Sequence, residues 1–263
     1  LAGGEATQLL GNLEAPAIAT NGVDLYVTVN EPEGIFRIKN ATAANAPDGL
    51  FGLAQLDITD VKLTYTKAAL YASTPDAVHR IGDEGLGGSG DGLIPLAKGL
   101  DHPSRVTVYE DTVYFAVTGK TSASNAHVAA VHKNGGAVMT IIPNTTFGSQ
   151  LMPVDVATDA LAARLIVGVQ QRNWPYTSLI CEVPFAGGEL SCQSYGAPGL
   201  NRLIVHDSVA LWGTNQTLSR LDLASGTTFS VPGIFTRPGG MVADGDTLYW
   251  VDRQSGRLYR TSG

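Results

Sequence analysis

The chain has 263 residues, of which 44% are hydrophobic and 16% charged, with a net charge of −7. That supplies core for one large all-β domain or two ordinary ones, and 31 glycines with 13 prolines suit many short strands joined by turns. An acidic chain without a Lys/Arg cluster argues against nucleic acid or an anionic membrane as partner, and no run of apolar residues is long enough to span a bilayer as a helix.

The N-terminal LAGGEATQLL has no positive n-region and no initiator Met, so it reads as a mature or trimmed terminus. Residues 6–12, ATQLLGN, supply one strand without a neighbour in sequence. A four-run unit then begins. AIAT (from Ala17), the turn NGVD, LYVTV (from Leu25), GIFRIKN and GLFGLAQ make the first. VKLTYT (from Val61), LYAST (from Leu70), AVHRIGD and GLIPLAKG make the second. RVTVYE (from Arg105), VYFAV (from Val113), HVAAVHKNG and AVMTIIPN make the third. VDVATD (from Val154), RLIVGV (from Arg164), LICEVPFAGG and LSCQSYGA make the fourth. RLIVHD (from Arg202), VALWG (from Val209), LSRLDLASG and TTFSVPGI make the fifth. The sixth has only three runs, GMVADG (from Gly240), LYWVD (from Leu248) and RLYRTSG.

Second-strand starts recur every 40 to 50 residues or so, a repeat length of propeller blades. The turns between first and second runs use Asn, Asp and Gly, which supply the positive φ of hairpin turns. Alternation inside each run has period two, and no segment shows helix periodicity. These observations predict an all-β, six-bladed β-propeller of four-stranded antiparallel blades. Its last blade is completed by the N-terminal strand. Blades fall at about 15–56, 57–103, 104–151, 152–199 and 200–237, with the closing blade at 238–263 plus 1–14. One such sheet cannot bury both faces alone, so the core is expected as layers between neighbouring blades. Leu9 and Leu10 are expected to pack inward, and loss of residues 1–14 to open the ring.

The two cysteines lie in CEVPFAGGELSC (181–192). With the turn centred on Ala186 and Gly187, Cys181 and Cys192 face each other closely enough for a disulfide. Two unpaired buried thiols are the alternative. A disulfide would place the protein outside the cell, in the periplasm or at the cell surface. Three N-x-T triplets, at Asn40, Asn144 and Asn215, fit a secreted context.

The segment DGDTLYWVDRQSGRLYRTSG (from Asp244) resembles a YWTD blade of the lipoprotein-receptor type through Leu248, Tyr249, Trp250, Asp252 and Arg260, with Val251 in place of Thr. As an architecture the whole chain is similar to YWTD-like, NHL-like and SMP-30-like propellers. These include extracellular partner-binding domains and metal-dependent lactonases. The lactonase pattern implies a metal-binding Glu before the first inner strand, here Glu14 of Glu14-Ala-Pro16. It also implies an inner-strand Asn and an Asp in a Pro-Asp/Asn-Gly context, and this chain has Gly239 and Gly240 where that acid should sit. Asp155 is the other acid nearby, so Glu14 and Asp155 are the residues that would hold Ca²⁺ or another divalent cation.

In a propeller, one ring face gathers the loops that lead into the inner strands and leave the second strands. The expected binding residues there are Glu14, Asp57, His102, Arg105, Asp155, Arg172, Trp174, Tyr176, Arg202, Arg237 and Asp252. Two longer loops, TGKTSASNAH (from Thr118) and QQRNWPYTS (from Gln170), should raise a wall on that face, with Trp174 and Tyr176 as anchors for a peptide or sugar. GDEGLGGSGDG (from Gly82), with Asp83, Glu84 and Asp91, lacks EF-hand spacing and reads as a loose connection. Absence of H-E-x-x-H and G-x-S-x-G motifs leaves no residue with an assigned catalytic role. Arg37, Arg80, Arg220 and Arg260 recur on third strands, far from the axis, and are expected to pair with acids of neighbouring blades such as Asp83 or Asp222, or to cover apolar surface with their stems. The expected function is an exported, non-enzymatic, monomeric propeller that binds a protein, peptide or glycan through its loop face. The alternative is a metal-dependent hydrolase or lactonase with its site in the central channel.

Overall fold

In a computed structural model the chain forms six four-stranded antiparallel sheets. It describes residues 7–10, 17–30, 33–40, 50–54, 61–66, 69–82, 93–173, 177–194, 199–200, 202–213, 217–230, 238–244, 247–252 and 257–262.

The inner strands are Ile18–Thr20, Lys62–Thr66, Pro103–Tyr109, Leu151–Asp159, Arg202–His206 and Pro238–Asp244. Each pairs with the strand that follows it through a tight turn. Positive φ occurs in these turns at Gly22 and Asp207, residues of the expected types, and also at Glu110, Ala163 and Ser208, which are not. Third and outer strands complete each sheet, the outer strands being Leu50–Ala54, Leu93–Lys98, Met139–Ile142, Ser191–Ser194 and Thr228–Ser230 in the first five. In the sixth sheet the order runs Pro238–Asp244, Thr247–Asp252, Arg257–Ser262 and then Thr7–Leu10. Thr7 lies opposite Arg260 and Gln8 opposite Tyr259. The side chains of Leu9 and Leu10, expected to pack inward, lie outside the described residues.

Burial follows from this arrangement. Six apolar clusters fill the six junctions between adjacent blades, and each draws on two neighbouring sheets. The second strand of the third blade feeds both layers. Val113, Phe115 and Val117 face the second blade, whereas Tyr114 and Ala116 face the fourth. Period-two alternation therefore carries no polar face on this central strand, as the run TVYFAV shows. In the last blade Trp250 stacks on Tyr259 at 5.4 Å between ring centroids.

Cys181 and Cys192 are directly opposed on the third and outer strands of the fourth blade and form a disulfide. A feature absent from the sequence reading is a single helical turn, Asn144–Phe147, between the third and fourth blades. Its one buried residue, Phe147, joins the layer between those blades. Four residues are too few to show a helical period.

Two of the third-strand arginines, Arg37 and Arg80, meet partners other than the acids expected for them. Arg37 pairs with Asp24, on the hairpin turn of its own blade, and Arg80 donates to the side-chain carbonyl of Asn134 in the next blade at 3.1 Å. Asp222 caps its own turn by accepting from the N–H groups of Ala224 and Ser225. Arg37 is thus held by the hairpin turn of its own blade, whereas Arg80 reaches across the inter-blade gap to an amide. Asp83, with the rest of the segment 83–92 that holds Glu84 and Asp91, lies outside the described residues.

Candidate functional site on the loop face and axis

Inner strands begin at one ring face, here the loop face, and end at hairpin turns on the opposite turn face. Counting four residues back from the last residue of the second to sixth inner strands gives Lys62, Arg105, Asp155, Arg202 and Gly240. Three of the expected site residues therefore share one tier around the axis. Lys62 belongs to the same tier and was missed, because the run VKLTYT shows it only as the polar partner of an alternating strand.

The structure brings Arg105 and Asp155 together. Arg105 donates from Nε and Nη2 to Asp155 Oδ2 at 3.3 and 3.0 Å, and from Nη1 to the Met241 carbonyl at 3.0 Å. Nη2 also donates to the Leu203 carbonyl. One guanidinium thus reaches from the third blade to the inner strands of the fourth, fifth and sixth. Asp155 is equally committed. Its Oδ2 accepts from the Leu203 N–H at 3.1 Å and its Oδ1 from the Val156 N–H at 3.2 Å. Side-chain exposure is 11% for Arg105 and 1% for Asp155, so the pair is a buried one. Further ties cross neighbouring blades at the axis: Lys62 Nζ donates to the Pro103 carbonyl, Thr64 to the Val106 carbonyl, and the hydroxyls of Thr107 and Thr158 meet at 3.0 Å.

Between Arg105 and the hairpin turns lies a cavity of about 210 Å³, lined by Thr64, Tyr65, Thr66, Thr107, Thr158, Val108, Val205 and Val242 among others. The expected binding residues gather at the loop face; this cavity occupies the other end of the channel, beyond the guanidinium. It is smaller than the several hundred Å³ usual for organic ligands.

On the loop face a second cluster is built around Asp101. Its carboxylate accepts from the N–H and hydroxyl of Thr121, the Ser122 N–H and Asn125 Nδ2, and contacts His102 Nδ1 at 3.0 Å. Burial opposes ionisation here, but the hydrogen bonds from Thr121, His102 and Asn125 outweigh it and hold the carboxyl far below the usual range. An ionised Asp101 can only accept, so His102 Nδ1 is the donor and Nε2 is left for other partners. His102 itself sits at φ +55°, a left-handed conformation uncommon for a residue with a side chain. Gly119, at φ +62°, lets the loop close on itself: an added Cβ would lie 2.6 Å from the Ser122 carbonyl oxygen.

The two long loops are joined. Arg172 Nη2 donates to the Thr118 carbonyl at 2.9 Å, the Arg172 N–H to the Gln150 carbonyl at 2.8 Å, and Asn173 to the Gln150 side chain at 3.0 Å. Asn144 of the helical turn reaches the Ala123 carbonyl from below. His102, Arg172 and the loop 118–126 thereby form one braced ledge. Asp101, its hub, was missed in the sequence, where one Asp in a connecting loop carries no signal.

Arg202 starts the fifth inner strand and is 7% exposed; Asp252 ends the second strand of the sixth blade and is 6% exposed. Both are buried rather than displayed. Glu14, Asp57, Trp174, Tyr176 and Arg237 lie outside the described residues.

The residues that the lactonase resemblance implies for a divalent cation fit poorly. Asp155 already faces a guanidinium. Gly240 has no room for the acid of that pattern, because an added Cβ would lie 2.7 Å from the Ile18 backbone nitrogen. Among the described residues no group of three or more His, Cys, Asp or Glu is placed to hold a metal.

Comparison with known proteins places the architecture. No family model matches the chain, and no curated protein does. Solved structures do. A putative oxidoreductase (glucose dehydrogenase) from Thermus thermophilus superposes with a TM-score of 0.70 at 13% identity, over 98% of this chain and 99% of that one. The chain is a six-bladed β-propeller. This propeller also matches nidogen, from a nidogen/laminin complex, with a TM-score of 0.69 at 13% identity over 87% and 86% of the two chains. A luciferin-regenerating enzyme matches it at 0.64 with 10% identity over 99% and 96%. At such identities the likeness shows the propeller fold alone, and the matched proteins include both binding proteins and enzymes.

Proposed function

We propose that this propeller is an exported, non-enzymatic binding module that takes a protein loop, peptide or glycan on its loop face. The observation that supports this most is the ledge. Asp101 accepts four hydrogen bonds from the loop 118–126, and Arg172 ties the next loop to it. A loop fixed before binding loses little entropy on binding, so rigid contacts of this kind favour affinity. Next to Arg172 and Asn173 the sequence continues as Trp174-Pro175-Tyr176, and Trp, Tyr and Arg are the residue types that dominate binding hot spots. The structural likeness to nidogen, found in a complex with laminin, fits a protein partner. The disulfide between Cys181 and Cys192 suits an oxidising compartment, and no helix among the described residues is long and apolar enough to cross a membrane.

The test is selection of the purified protein against a displayed peptide library and a glycan array, followed by binding measurements on the ligands found. Arg172→Ala and Trp174→Ala are expected to weaken binding roughly tenfold or more, the usual scale of hot-spot loss. Leu161→Ala, on an exposed turn of the opposite face, should leave it unchanged. Ligands whose affinity responds to Leu161 and ignores Arg172 and Trp174 would sink this reading.

A further inference from the structure

Three oxygens from three different blades converge on Arg105: the Asp155 carboxylate and the main-chain carbonyls of Leu203 and Met241. A carboxylate plus backbone carbonyls is the donor set of a hard cation, and no nitrogen or sulfur ligand takes part. All three oxygens belong to inner strands, so their positions are set by the ring and not by a mobile loop. The guanidinium that fills the space comes from the third blade and is itself almost fully buried. We propose that this axial tier is a hard-cation site occupied by the protein's own Arg105. A tethered guanidinium does there what a bound ion would do: it neutralises Asp155 and draws four inner strands to one point.

Two consequences separate this from an ordinary ion pair. The intact protein should hold its axis without any divalent ion, because a second cation beside the guanidinium is repelled by it. Removing the Arg105 side chain should uncover a site that accepts a free cation, with water completing the coordination shell. The inference stands apart from the ligand proposed for the loop face, since it concerns only the axis.

The experiment compares the intact chain, Arg105→Ala and Arg105→Ala/Asp155→Asn. Thermal melts are run in chelator, in millimolar Ca²⁺ and in millimolar guanidinium, with Tb³⁺ luminescence as a direct binding signal. The intact chain is expected to melt at the same temperature in chelator and in Ca²⁺. Arg105→Ala should melt lower in chelator, regain stability with Ca²⁺ or guanidinium, and bind Tb³⁺ at least roughly tenfold more tightly than the intact chain. The double variant should show no recovery. If Arg105→Ala does not fold in chelator, refolding the denatured chain with and without Ca²⁺ or guanidinium decides the matter. Folding restored by either cation supports the proposal, and no restoration overturns it. An intact chain that loses stability in chelator, or an Arg105→Ala variant blind to both cations, also overturns it.

Discussion

Asp101 is the residue on which the loop face depends most visibly. Replacing it with Asn removes the charge that four loop donors and His102 share, and turns half of its acceptor capacity into a donor facing other donors. Asp101→Asn should cost about 2–3 kcal/mol, the scale of buried charge-assisted hydrogen bonds left unmade. The sign of the pH dependence follows from the direction of the shift. The folded-state pKa lies below the unfolded value, so Asp101 stabilises fully above about pH 4 and its contribution fades as pH falls below that. Denaturant midpoints of the intact chain and Asp101→Asn should therefore differ at neutral pH and converge as the solution is acidified; parallel curves would exclude the assignment. Gly240 offers a second case. Gly240→Ala would put a Cβ 2.6 Å from Ile18 Cγ2 and 2.7 Å from the Ile18 nitrogen. Backbone cannot give way like a side-chain end, so a loss of about 2–3 kcal/mol is expected, within the range for overpacking, read as a shift in denaturant midpoint.

Among elements, the outer hairpin of the fourth blade shows how local sequence and register combine. Its outer strand, Ser191–Ser194, is exposed along its whole length and has no apolar side chain buried to hold it. The bond from Cys192 to Cys181 anchors it to a third strand whose own residues, Ile180 and Val183, are buried. Closing so short a loop in the unfolded chain is worth up to about 3 kcal/mol on the chain-entropy account. Cys181→Ala/Cys192→Ala should lose stability on that scale, and hydrogen exchange should quicken first in 191–194. Uniform exchange across the blade would mean that the strand is held by something else. This pairing was legible because a cross-strand register follows from turn length. The partners of Arg37 and Arg80 were not, because they depend on which turn folds back over a third strand. The Asn144–Phe147 turn was invisible for the reason already given: it is shorter than the period that would reveal it.

At the scale of the molecule, stability resides in six inter-blade layers joined in a circle, and a circle has no spare junction. Deleting residues 1–14 removes the strand Thr7–Leu10 from the edge of Arg257–Ser262. The expected result is a lower melting temperature for the whole protein in a single transition, with the exposed edge inviting self-association. A truncated chain that melts like the intact one would show that the sixth sheet closes the ring with three strands. The axis answers the same question from inside. Arg105, Lys62 and the Thr107–Thr158 contact link the inner strands where the blades come closest. The channel is therefore bolted at the tier of Arg105 and Asp155.

What the sequence determined alone was the strand count, the blade repeat and the cysteine pair. Each of these is written in neighbouring residues by period, spacing and backbone preference. The tertiary structure decided which charged residues meet. Arg105 and Asp155 are 50 positions apart, and nothing local marks them as partners rather than as two ligands of a funnel. The same holds for Asp101, whose loop donors arrive 20 to 24 positions later. Electrostatic pairing acts through space over a few ångströms, and only closure of the ring sets those distances.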